Sequence, residues 1–147
     1  MTLSALVVDF GGVLDDFGEL SSGRAAGSDA ETAPVVRAVE WLRDRDVTVA
    51  LLSNGDSRPT TIDCDRLFDV VAVSAETGFR KPAAASFRHV LGQLGVSAER
   101  CVIVDDEARN VAAAVEMGMV GIVHSDVEST LHELSVLFES ELSEQSR

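Results

Sequence analysis

The stretch "ALVVDFGGVLDD", Ala5–Asp16, decides how the fold is read. An aliphatic, β-branched run ends in a carboxylate, Asp9, and two glycines follow it, Gly11 and Gly12. Residues Leu3 to Val8 read as a buried strand. A lone aspartate at its end calls for a reason, and the glycines supply part of one. They let the backbone turn sharply away from the strand and come close to a bound ion or anion.

The same pattern recurs down the chain. "VTVALLSNG" gives a strand over Val47–Leu52 that ends in Ser53 and Asn54, and "LFDVVAVS" gives a third. "CVIVDDE" supplies a fourth, from Arg100 or Cys101 to Val104, with Asp105 and Asp106 immediately after it, and "MVGIVH" a fifth. Helical patterns alternate with these runs. Pro34 sits in the first turn of a helix whose apolar positions are Val35, Val39 and Leu42. "ASFRHVLGQLG" lines Phe87, Val90, Leu91 and Leu94 on one face and stops at Gly95. Ala108–Met117 is a small-residue helix ending at Gly118, and Leu131, Leu134 and Phe138 mark a closing amphipathic helix. The alternation predicts an α/β fold, a parallel five-stranded sheet with helices on both faces. Residues 1–138 form a single domain in this reading, and 139–147 a frayed tail. Asp15–Ala33, rich in Gly, Ser, Ala and acids, reads as a loop with a short hairpin.

Composition narrows the class. The 147 residues suffice for one domain with an aliphatic core. A net charge of −13 repels phosphate backbones and anionic lipid at long range, so neither nucleic acid nor membrane is expected as a partner. Cys64 and Cys101 lack metal-ligand spacing and form no disulfide framework, which fits a reduced, cytoplasmic protein. No basic leader and no bilayer-length segment is apparent.

In a parallel sheet the residues just past the strand ends gather along one edge, where ligands bind. Asp9, Ser53 with Asn54, and Asp105 with Asp106 all hold that position. Carboxylates gathered there repel one another unless a divalent cation lies between them, and hard oxygen donors suit Mg²⁺. Asp9 is then a metal ligand, a nucleophile, or both.

Four segments, "VVDFGGVL", "LLSN", "GFRKP" and "VIVDDEARNVAAAVEMGM", resemble in this order the four motifs of the haloacid dehalogenase (HAD) superfamily. The branch is the one that includes the phosphatase-like domain of epoxide hydrolases, and the likeness runs from Leu3 to His124. The resemblance implies a Rossmann-like hydrolase, most simply a phosphohydrolase, with Asp9 as the nucleophile that forms an aspartyl-phosphate. It makes Mg²⁺ the cofactor, held by Asp9, the backbone carbonyl of Gly11, Asp106, and Asp105 as second ligand or orienting group. Ser53, the backbone N–H of Asn54, and Lys81 would bind the phosphoryl group. Asn110 falls where relatives carry a further Asp or Asn.

The chain departs from the family pattern twice. The aspartate that usually follows two positions after the nucleophile, and serves as acid and base, is Gly11. Asp15 or Asp16 could reach back in its place, the substrate could carry a good leaving group, or the protein could bind without efficient turnover. The second departure is the missing helical cap between Gly12 and Val47, which predicts a capless, open site with residues 13–33 as a flap. Such a site is completed by a large partner such as a phosphoprotein, by another subunit of a homo-oligomer, or serves undemanding chemistry on a phosphorylated small molecule. The rival readings are a catalytically weak HAD-fold binding module and, further off, a carbon–halogen hydrolase. His89, His124 and His132 read as structural or exposed, and Trp41 and Phe87 as core.

Overall fold

Successive side chains of β1, Ala5–Val8, point to opposite faces, and all four are buried. A strand buried on both sides needs covering layers on both sides. The computed structural model describes residues 2–18 and 33–145, with side chains described as far as residue 139. Four further strands follow, β2 Thr48–Ser53, β3 Val70–Val73, β4 Cys101–Asp105 and β5 Val120–Val123. All pairings are parallel, in the order β3-β2-β1-β4-β5. The helices are α1 Pro34–Arg43, α2 Cys64–Leu67, α3 Ser74–Thr77, α4 Ala84–Leu94, α5 Ala108–Glu116 and α6 Val127–Gln145. The sequence reading of an α/β fold with five parallel strands is what the structure has.

Alternation along the strands sorts the core into two halves. Leu6, Val8, Val49, Leu51, Val102 and Val104 face α1 and α6 with Val39, Leu42, Leu134 and Phe138. Ala5, Val7, Ala50, Leu52 and Ile103 face α4 and α5, around Phe87 and Val90. Phe87 is a core residue as expected. Trp41 is only half-buried, and the Arg45 guanidinium lies 3.8 Å over its ring, so it shields an edge of the core instead of filling it.

The chain builds β2 and β3 on one side of β1, then returns to place β4 and β5 on the other. That reversal is a topological switch point, where the strand ends splay and leave a crevice. Asp9 and Asp105 sit at it, on neighbouring strands. Between β1 and α1, Phe10–Leu14 forms an irregular helical turn with Val13 and Leu14 buried. The hairpin expected within 15–33 falls mostly on residues 19–32, outside the described residues.

The single turns α2 and α3 carry no periodicity and were not foreseen. Asp63 starts α2 by accepting a hydrogen bond from the Arg66 N–H, and Gly78, at φ +79°, ends α3. Helix α6 runs to Gln145, past the point where a frayed tail was expected; Glu, Leu and Gln favour continuing the helix. Among the described residues no helix is long and apolar enough to cross a membrane.

Helix α5 packs against β5 at Gly121, where a Cβ would lie 2.5 Å from Val111 Cγ1 and 2.7 Å from Val115 Cγ2. Gly121→Ala should therefore destabilise the protein by about 1–3 kcal/mol, read as a lower urea midpoint with unchanged slope.

Candidate active site

The site is built around a buried ammonium. Lys81 arrives on the loop between α3 and α4 and is 3% exposed. Its Nζ donates to the Leu52 carbonyl oxygen (2.8 Å) and to Asp105 Oδ2 (2.7 Å), and lies 3.2 Å from Asp9 Oδ1. Three acceptors match the three protons of an ammonium, the condition for burying such a charge. The backbone of the same residue is clamped by Asn54. The Asn54 Nδ2 donates to the Lys81 carbonyl (3.0 Å), and its Oδ1 accepts from the Lys81 N–H (2.9 Å). Sequence reasoning gave Asn54 a phosphate-binding backbone; its side chain has the separate task of fixing Lys81. Ser53 ends β2, half-buried, one residue beyond the carbonyl that holds Lys81.

Asp105 is held by three donors. Its Oδ1 accepts from the Glu107 N–H (2.9 Å), and its Oδ2 accepts from Lys81 and from Asn110 Nδ2 (3.3 Å). Asn110 thus reaches the site through Asp105, and its own Oδ1 is buried without a protein partner among the described residues. Asp106 is exposed and stands against the turn after β1. There Gly12 has φ +80°, and a Cβ on it would lie 2.2 Å from Asp106 Oδ2. Only glycine meets both demands. Gly11 differs: at φ −64° it has the backbone of an ordinary residue, and nothing lies within 4 Å of its Cβ direction.

Asp9, Asp105 and Asp106 each bring a carboxylate oxygen within 4.8 Å of the others. The Lys81 ammonium lies against two of the three, Asp9 and Asp105. Burial pushes Asp9 from its ordinary 3.8 up to about 6, with Lys81 pulling it down and Asp105 adding to the rise. Burial, and then Asp105, also raise Asp106. A hard divalent cation such as Mg²⁺ fits this all-oxygen donor set.

The two acids considered as stand-ins at the Gly11 position are engaged elsewhere. Asp15 Oδ1 accepts from the Gly12 N–H (2.7 Å), and Asp16 Oδ2 lies 2.8 Å from His124 Nε2. His124, read from sequence as structural or exposed, is buried. No spacing pointed to its partner, which is 108 residues away in sequence.

The family model for haloacid dehalogenase-like hydrolases matches residues 20–118. The chain belongs to that family. A sesquiterpene phosphatase, astK, of Aspergillus oryzae is 44% identical over 71 residues, 48% of this chain and 36% of that one. The bifunctional epoxide hydrolase 2 of Rattus norvegicus is 29% identical over 110 residues, 69% of this chain and 20% of the relative. The matches therefore span about a third or less of these relatives' own lengths. An uncharacterized protein of Corynebacterium glutamicum has a crystal structure that superposes with a TM-score of 0.77 at 27% identity, covering 93% of this chain and 96% of that one. The HAD-like fold and the placement of its strand ends agree with the motif order read from the sequence.

Between pH 4 and 6 the native HAD-like hydrolase holds a proton on Asp9 that the unfolded chain releases, so stability of the metal-free protein falls as pH rises through that window. The loss amounts to roughly 3 kcal/mol. Urea unfolding at a series of pH values should show a shallower slope across this window for Asp9→Asn than for wild type.

Proposed function

We infer that this HAD-like hydrolase is a Mg²⁺-dependent phosphohydrolase acting through Asp9. The observation that carries the reading is the trio of Asp9, Asp105 and Asp106 at the switch point, with the buried Lys81 ammonium against Asp9 and Asp105. The phosphatase activity of the Aspergillus oryzae relative supports phosphatase over dehalogenase chemistry.

In this mechanism a carboxylate oxygen of Asp9 attacks phosphorus in line with the departing oxygen. A P–O bond to Asp9 forms as the P–O bond to the leaving group breaks, and the leaving oxygen takes the electron pair. Water then attacks phosphorus, inorganic phosphate departs, and the Asp9 carboxylate is regenerated. Lys81 keeps Asp9 oriented and offsets negative charge beside it. Asp105, held by Lys81, Asn110 and the Glu107 N–H, fixes the far side of the cluster. Asp9, Asp106 and Asp105 would hold Mg²⁺, with the Gly11 carbonyl as a further ligand. When bound, Mg²⁺ supplies charge stabilisation to the phosphoryl oxygens.

Gly11 gives the leaving group no acid, and Asp15 and Asp16 are bonded to other partners. The favoured substrates are therefore phosphorylated small molecules with low-pKa leaving groups, acyl or aryl phosphates. Two free, buried thiols, Cys64 and Cys101, suit a reducing compartment such as the cytoplasm.

Mg²⁺-dependent phosphate release from acetyl phosphate and an aryl phosphate should be present in wild type and absent in folded Asp9→Asn. A folded, Mg²⁺-binding wild type that releases nothing would turn the reading to a binding module. Gly11→Asp has open space for its side chain, and should raise turnover of alkyl phosphates by about 10²-fold or more. No gain there would mean that another group already supplies the proton.

A further inference from the structure

The turn after Asp9 runs close against Asp106, whose Oδ2 lies 2.2 Å from where a Cβ of Gly12 would be. Whatever sets the position of this turn also sets the shape of the site. Locally it is held by Asp15 on the Gly12 N–H and by the Asp16 N–H on the Val13 carbonyl (3.3 Å). Its outer end is held by Asp16, half-buried, whose two oxygens face different partners. Oδ1 accepts from the Gly18 N–H (2.8 Å), and Oδ2 meets His124 Nε2 at 2.8 Å.

His124 stands just past β5 and is 4% exposed. Its Nδ1 lies 2.7 Å from the hydroxyl of Thr130, which is buried on α6. One tautomer satisfies the whole chain of contacts: Nε2–H donates to Asp16, and Nδ1 accepts from the Thr130 hydroxyl. The backbone N–H of His124 donates to the Asp105 carbonyl oxygen (2.9 Å). A single residue thus touches β4 at the acidic cluster and, through its ring, the turn that follows the nucleophile. Gly18 completes the seam, since its Cβ direction points to Val127 of α6 at 3.8 Å.

We propose that His124 is a positioning residue, whose ring anchors Asp16 and so holds the Gly11–Gly12 turn against Asp106 in the geometry that binds Mg²⁺ and the phosphoryl group. The proposal rests on the phosphohydrolase reading above. It differs from a purely structural role in one respect: loosening the anchor should show in ligand binding before it shows in folding, because Asp16 lies at the rim and the sheet core does not depend on it.

The test uses the full chain as wild type, Asp16→Ala, Asp16→Asn and His124→Gln, each checked for fold by circular dichroism. The Mg²⁺ dissociation constant is measured by calorimetry, and the rise in melting temperature with Mg²⁺ and beryllofluoride by thermal unfolding. Asp16→Ala should keep the native spectrum, bind Mg²⁺ about 10-fold more weakly, and raise KM for acetyl phosphate more than it lowers kcat. Asp16→Asn keeps one oxygen for the Gly18 N–H, and its amide can donate to Nε2 of the other His124 tautomer, whose Nδ1–H then donates to the Thr130 hydroxyl, so it should recover most of the loss. His124→Gln should resemble Asp16→Ala; if it fails to fold, the Asp16 pair decides. A folded Asp16→Ala with wild-type Mg²⁺ affinity overturns the proposal, and so does an equal loss in both Asp16 variants. A wild type that responds to neither Mg²⁺ nor beryllofluoride would sink the phosphohydrolase reading and the anchor together. A responsive wild type with indifferent variants would sink the anchor alone.

Discussion

The ammonium of Lys81 is the constraint on which the site depends. Buried without partners it would cost several kcal/mol; here the Leu52 carbonyl, Asp9 and Asp105 receive it. Meeting those three acceptors at once draws the ends of β1, β2 and β4 and the loop before α4 to one point. Asn54 extends the same constraint to the backbone, gripping the Lys81 peptide from both sides so that the side chain enters in one direction only.

Charge explains what that arrangement is for. The Lys81 ammonium lies against two of the three neighbouring carboxylates, Asp9 and Asp105, while burial chiefly raises Asp9 and Asp106 and the Asp105 charge adds to the rise of both. Asp105 is the settled member, held by Lys81, Asn110 and the Glu107 N–H and buried. Asp106 is the open one, facing the turn and solvent, and Asp9 lies between. A site with one acid already oriented, one exposed and one between them suits a hard cation. The two glycines of the turn answer to different needs. Gly12 is dictated by conformation and by the closeness of Asp106, whereas Gly11 has an ordinary backbone and empty space beside it. Its missing side chain is a matter of chemistry, since the fold would accept a larger one.

Much of this was legible in the chain itself. Five aliphatic runs alternating with helical periodicity require a sheet buried on both faces, and the polar residues that end those runs must then share an edge. That argument found Asp9, Ser53, Asn54, Asp105 and Asp106, and the motif order added Lys81. The short turns α2 and α3 escaped it because four residues carry no period, and α6 continues to Gln145, beyond Phe138, the last apolar position of its pattern. Trp41 packs against the core as a partly buried residue, and only the packing shows Arg45 lying over its ring.

What the sequence determined by itself is the fold class and the identity of the acids at the strand ends, because both follow from local patterns of period two and 3.6 and from residues adjacent to them. What only the tertiary structure decided is which partner each polar group takes. Asn54 holds a lysine instead of presenting its amide to solvent, Asn110 works through Asp105, and Asp16 pairs with His124 across 108 residues. Such pairings depend on where the sheet order places β1, β4 and β5 relative to one another, and no spacing along the chain encodes that distance.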